Sequence, residues 1–245
     1  FEELCLTEES AVKEVTQAYK SAGAQLLKTN TFNAVRPKLL KSGIQDLLPK
    51  ILKKSVEITK DVAGEDAYVL GAIGPLGVVV EPLGPTSLQE AEEQFAENIK
   101  IFDAEGVDAI LFVAFHDFSE LEAGLKAAQR ETKKPIFVQI GLQENLTTSF
   151  GNSLEELVSL SDKYDIEVIG VSGEIGPSRC LAAVEKLRAI TSKILFISPN
   201  AGLPRYVNDE YIYMCNPDYM GKFAKRFVQA GANIIGGHSG VHEPH

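Results

Sequence analysis

The sequence predicts an α/β protein, specifically a (β/α)8 TIM barrel whose first strand is missing from the chain in hand. Three observations predict it. Short runs rich in Val and Ile alternate with longer segments of helical period, the pattern of β/α units around a buried parallel sheet. One device recurs in "SAGAQLLKTN", "AEGVDAILFV" and "QAGANIIGGH": a helix end, a Gly, then a buried strand. Seven strand-and-helix units fill the 245 residues with no linker or low-complexity break, which favours a barrel over an open doubly wound sheet.

The first element is a helix over residues 8–21 with no strand before it. A closed barrel needs an eighth strand, so that strand is expected upstream of Phe1, and residues 1–245 read as a single barrel domain of a longer chain. Gly23 closes the helix in the left-handed conformation and strand 24–29 follows. A long helical period over 38–62 leads to strand 67–73. Ser87 with Glu90 fits a capping box at the start of helix 88–105, and Gly106 ends that helix before strand 107–114. Asp117 is placed to cap helix 118–132, which leads to strand 135–141. Ser153 with Glu156 fits a second capping box, opening helix 154–164 ahead of strand 166–172. Helix 178–191, strand 193–198, helix 217–230, Gly231 and strand 232–237 complete the pattern.

Bulk properties narrow the partners. A formal charge of -10 argues against nucleic acid and anionic membranes, which are bound by clustered Lys and Arg. Small molecules and proteins are the expected partners. Cys5, Cys180 and Cys215 are far apart and in no metal or redox spacing, which points to a reducing cytoplasm rather than a disulfide framework. No apolar run approaches the roughly 20 residues a membrane helix needs.

In a barrel of this kind the chemistry sits at the C-terminal ends of the strands. Those positions are "TNTF", "GPLG", "VAFHD", "QIGLQEN", "VSGEIGP", "SPNAGLP" and "GGHSG". Thr29, Asn30, Thr31, Phe32, Asn200 and Gly202 are the candidate substrate-binding residues, although Asn200, Gly202 and Pro204 also suit a plain turn. His116 and His238 are the candidate catalytic residues, since imidazole is the side chain best suited to move protons near neutral pH. "NIIGGHSGVHEPH" holds three of the four histidines, and His242 and His245 are expected to be solvated. "EPLGPTSLQE" reads as a loop over the mouth. Cys180 stands at a helix start, where the dipole favours a thiolate and burial opposes it.

The seven strand-end motifs, in this order, resemble those of the homocysteine S-methyltransferase family. The resemblance covers the whole chain, and "AGAQLLKTNTF", "YVLGAIGPLG", "SPNAGLP" and "AGANIIGG" make it specific. It implies a methyltransferase barrel of one-carbon and methionine metabolism, including the barrels of cobalamin-dependent methionine synthase and of proteins that continue into a methylenetetrahydrofolate reductase. A folate or corrinoid methyl donor, and a folate or corrinoid protein or fused reductase domain as partner, are implied with it. The family opens on an Asp-Gly-Gly-rich strand, matching the piece expected upstream.

The resemblance also implies zinc, held by one Cys in an Asn-Cys pair and two in a Gly-Gly-Cys-Cys-Gly run, which turns a substrate thiol into a thiolate. Here Ser172 and Gly173 stand for Asn-Cys, and His238 and Ser239 for Cys-Cys. The former zinc positions are therefore Gly173, His238 and Ser239, and a metal is expected only if His238 recruits new ligands from His116, Glu174, His242 or Cys180. The family's substrate-holding Glu-Thr matches Val113 and Ala114, so that carboxylate is absent too. Three functions follow as expectations: methyl transfer with altered acceptor or activation chemistry, a non-catalytic scaffold or regulatory barrel, and homocysteine methylation at a rearranged zinc site.

Overall fold

The computed structural model describes residues 1–202, 204–207 and 210–245, so Leu203 of "SPNAGLP" lies outside the described residues. Two compact units divide the chain, Phe1–Ile136 and Phe137–His245.

The first unit begins with α1 (Leu4–Thr7) and α2 (Glu9–Ser21), followed by β1 (Leu26–Lys28). The single helix expected over 38–62 is instead α3 (Arg36–Leu40), a 3-10 turn (Gln45–Leu47) and α4 (Leu48–Ala63). Gly43 explains the break: at φ +69° it turns the chain out of α3, and Ile44 N bonds back to Leu39 O at 3.1 Å. Pro49 then opens α4 in its first turn, where a missing N–H costs nothing. β2 (Tyr68–Ile73), α5 (Leu88–Ala104), β3 (Ala109–Phe115) and α6 (Phe118–Glu131) complete this unit, in which β1, β2 and β3 are parallel neighbours.

Two glycines set how closely helices approach this sheet. A Cβ on Gly71 of β2 would lie 2.8 Å from the Phe102 ring of α5, and one on Gly124 of α6 would lie 2.6 Å from the Phe112 ring of β3. The rings of Phe95, Phe112 and Phe115 then pack edge to face and tilted, at centroid distances of 5.6–6.0 Å, among fully buried aliphatic residues.

The second unit contains β4 (Ile136–Ile140, whose first residue ends the first unit), α7 (Leu154–Lys163), β5 (Val168–Ser172), α8 (Pro177–Ile190) and β6 (Ile194–Ser198). An antiparallel hairpin of β7 (Arg205–Val207) and β8 (Glu210–Ile212) precedes α9 (Pro217–Gln229) and β9 (Ile234–Ile235). The strands β4, β5, β6 and β9 run parallel in that order. The hairpin was not expected, and the last strand keeps only two ladder residues of the six expected.

The local signals behave unevenly. Gly23, Gly106 and Gly231 all take positive φ just past helix ends, as their positions predict. Asp117 caps α6 by accepting from Ser119 N at 2.8 Å. The capping box is complete at Ser153 and Glu156. At α5 only the forward half is observed, Ser87 Oγ accepting from Glu90 N, while Glu81 Oε1 takes Leu88 N at 3.0 Å. "EPLGPTSLQE" folds on itself through Glu81 N to Thr86 O at 2.8 Å and Gly84 N to Val80 O at 2.9 Å.

Gly170 of β5 gives the sharpest stability test. A Cβ there would stand 1.8 Å from the Phe196 carbonyl oxygen of the paired strand, so the strands must separate to admit it. Gly170→Ala is expected to cost at least about 3 kcal/mol, the upper range for an overpacked core. Gly151→Ala meets nothing within 4 Å and carries only the penalty of φ +86°, about 1–2 kcal/mol. Urea unfolding of the two variants measures both.

Candidate functional site

At the strand ends of the first unit, polar side chains are largely consumed by one another. Thr31 Oγ1 donates to Ala72 O at 2.7 Å, lies 2.6 Å from Thr29 Oγ1, and Thr29 Oγ1 accepts from Ala72 N at 3.0 Å. This ties the end of β1 to β2. Asn30 N donates to Ser55 Oγ of α4 and its side-chain amide reaches Phe1 O at 3.3 Å. Phe32 O accepts from Gly74 N, and the Lys38 ammonium stands 4.9 Å above the Phe32 ring. The structure thus brings together the four residues of "TNTF", with both threonine hydroxyls engaged in holding backbone.

His116 follows β3 and is half-buried, and one turn later the sequence places a carboxyl that residue patterns did not single out. Glu120 is buried in the first turn of α6 and accepts from Leu76 N of "GPLG" at 2.6 Å. Burial dominates and lifts its pKa to about 7; the bond from Leu76 pulls it down, Asp117 pushes it up, and Lys38 and His116 pull it down. Lys38 donates to Asn33 Oδ1 at 3.0 Å, and Asn33 is held in turn by Glu2 Oε1. The signal that marks Glu120 is a carboxyl at the third position of an N-capped helix directly after "FHD".

In the second unit Gly173, His238 and Ser239, the residues expected at the former zinc positions, lie together. Gly173 takes φ +69°, and a Cβ on it would lie 3.2 Å from Cε1 and Nδ1 of His238. The imidazole therefore packs against the space a Cys side chain would use. Ser239 Oγ lies 3.1 Å from His238 Nδ1. Main-chain bonds fix the loop: His238 N to Pro199 O, Ala201 N to Ser239 O and Gly173 N to Ser198 O, all at 3.0 Å. Asn200 N bonds Ile175 O at 3.1 Å and Gly202 takes φ +85° beside Cys215. Beneath them Gln139 of β4 passes Gly170 to reach Phe196 O and Ser198 Oγ of β6, at 3.2 and 3.0 Å.

One expectation changes and one holds. His245 is half-buried and bonded, its ring nitrogens lying 3.1 Å from Cys215 O and from His242 N, so only His242 is exposed. Cys180 is buried and its thiol is pushed up to about 12 by desolvation, which overrides the helix dipole and makes it a poor ligand or nucleophile.

Parallel strands covered by helices, with polar loops at their C-terminal ends, define a protein of the α/β class. The chain belongs to the homocysteine S-methyltransferase family, whose profile matches residues 2–245. It is 24% identical over 251 residues to methionine synthase of Mycobacterium leprae (strain TN) and, equally, to that of Mycobacterium tuberculosis (strain ATCC 25618 / H37Rv). Each alignment covers 98% of this chain and 21% of the relative, so the chain spans about a fifth of their length. The homocysteine methyltransferase MmuM from Escherichia coli has the same fold. Its oxidized form aligns with TM-score 0.84 and 19% identity over 98% of this chain and 84% of that one. Its metallated form gives 0.82 and 21% over the same shares.

The residues at the former zinc positions do not fit the metal. They supply one imidazole, a hydroxyl and a glycine, and among the described residues no three His, Cys, Asp or Glu side chains group as ligands. No helix among the described residues is long and apolar enough to cross a membrane.

Glu120 gives a pH prediction. Its folded-state pKa of about 7 exceeds the ordinary 4.5, so between these values the folded chain holds a proton that the unfolded chain has released. The contribution of Glu120 to stability is therefore fullest below pH 4.5 and is lost as pH rises through 7, by up to about 3 kcal/mol. Glu120→Gln is expected to flatten that slope in urea titrations at a series of pH values. A second prediction concerns the lost metal set: Gly173→Cys with His238→Cys and Ser239→Cys should bind about one zinc per chain, measured by metal analysis after dialysis.

Proposed function

We propose that this chain is a divergent homocysteine S-methyltransferase-family barrel that transfers a methyl group between small molecules without thiolate activation by zinc. The supporting observation is His238, which occupies a former zinc position, packs on Gly173 and lies within hydrogen-bond distance of Ser239. In this reading the imidazole takes the proton of the acceptor group as the acceptor's lone pair attacks the methyl carbon and the bond to the donor breaks. Asn200 and Gly202 are the proposed substrate-binding residues of the second unit, and Thr29, Asn30, Thr31 and Phe32 are those of the first. His116 is a second proton-transfer candidate. A folate or corrinoid compound, carried by a partner or a fused domain, is the methyl donor proposed.

A scaffold role is the competing reading, favoured by the engaged hydroxyls of Thr29 and Thr31 and by the apolar Val113. Zinc analysis and methyl-transfer assays to thiol, folate and corrinoid acceptors separate the readings, run on the parent chain and on His238→Ala. Turnover that survives chelation and falls at least a hundredfold in His238→Ala is the expected result, the scale of a lost general base. Absence of turnover in the parent chain would leave the scaffold reading. About one zinc per chain, lost in the variant, would establish a rearranged metal site instead.

A further inference from the structure

Lys28 lies on a sheet face of the first unit that carries mostly apolar side chains among the described residues. The Cβ direction of Gly71 points at Phe102 of α5, so Val69, Gly71 and Ile73 face the helices. Register then pairs Leu27 with Val69 and Lys28 with Leu70, and Ala72 with Leu111. Lys28 therefore shares the opposite face with Leu70, Ala72, Leu111 and Val113, each at most 3% exposed. It directly precedes the Thr29–Thr31 clamp, at the strand end where this fold places chemistry.

Lys28 is exposed as a residue, and the apolar side chains beside it on the sheet face offer its charge no partner. Desolvation lowers its pKa, and no carboxylate contributes an opposing attraction. Among the described residues no hydrogen bond or ion pair holds its Nζ. Lys38 shows the contrast. It is also desolvated, but Glu120 and Glu2 attract its charge and Asn33 accepts its hydrogen bond. A lysine kept in apolar surroundings without a counter-charge is a nucleophile in its neutral form.

We propose that Lys28 is a reactive amine that condenses with the carbonyl carbon of a small aldehyde or 2-oxo acid. The Nζ lone pair forms the C–N bond while the carbonyl π pair moves to oxygen. Proton transfer from nitrogen to that oxygen gives a carbinolamine, loss of water leaves an imine, and a proton taken up from solvent makes it the iminium, with no change in oxidation state. The proposal rests on the strand ends being a small-molecule site, and it assigns that site a carbonyl substrate class.

Incubation of the purified chain with glyoxylate and cyanoborohydride near pH 7, followed by peptide mass mapping, tests it. Lys28 is expected to be labelled at least tenfold faster than the mean of the other lysines, and its labelling rate should titrate below the ordinary lysine range. Lys28→Met and Lys28→Arg should lose that adduct while keeping the parent's thermal unfolding. Uniform labelling of all lysines, or an unlabelled Lys28 in folded protein, would overturn the proposal. The assay needs no methyl donor, so failed methyl transfer with fast Lys28 labelling counts against the methyltransferase reading alone. Turnover that depends on His238, with Lys28 inert, counts against this proposal alone.

Discussion

Aromatic rings occupy the space that two glycines leave empty, and the first unit is arranged around that fact. With Phe102 against Gly71 and Phe112 against Gly124, α5 and α6 lie close enough to seal one face of the parallel strands. A parallel sheet has to be covered in this way, because unpaired apolar surface and backbone on either face would cost more than the fold gains. Gly170 plays the equivalent part in the second unit, where the absence of a Cβ lets Gln139 cross to β6 and bond there. Once the strands are held, their ends are fixed, and the loops that leave them are free to differ.

The absent cysteines can be understood together. Keeping thiolates while losing zinc would crowd like charges, and keeping zinc with too few ligands would leave the metal unsaturated. Gly173, Ser239 and one imidazole remove the thiolates together with the ligand set. In the first unit, Val113 puts a buried apolar side chain where the resemblance implies a carboxylate.

Much of this was legible in the sequence because it is written locally. The alternation of Val and Ile runs with helical periods places every parallel strand, and Gly23, Gly106 and Gly231 mark helix ends through a backbone conformation that glycine adopts without strain. Gly43 carries the same signal, but its apolar flanks let a helical period run through it, so one helix was expected where three short elements stand. The β7–β8 hairpin was hidden because "PRYVNDEY" follows a turn-rich loop and offers only three residues a side. Glu120 and Lys28 were missed for a different reason. A helix-start carboxyl and a strand lysine are ordinary in sequence, and become unusual only when the fold buries the first and sets the second beside apolar side chains on one sheet face. The solvated reading of His245 failed likewise, since Cys215 O lies 30 residues away in the chain.

Fold and chemistry therefore rest on different residues in this protein. The framework depends on glycines, phenylalanines and β-branched strand residues whose requirements are steric, and these are met. The chemistry depends on a handful of strand-end side chains whose requirements are electrostatic, and there the pattern departs. A TM-score of 0.84 to a homocysteine methyltransferase measures the first set and is silent on the second. The Glu120 carboxyl shows how the two sets meet: it is polar, buried and costly, but by accepting from Leu76 it holds a strand-end loop in place. Lys28, exposed at a strand end, has no such return bond among the described residues.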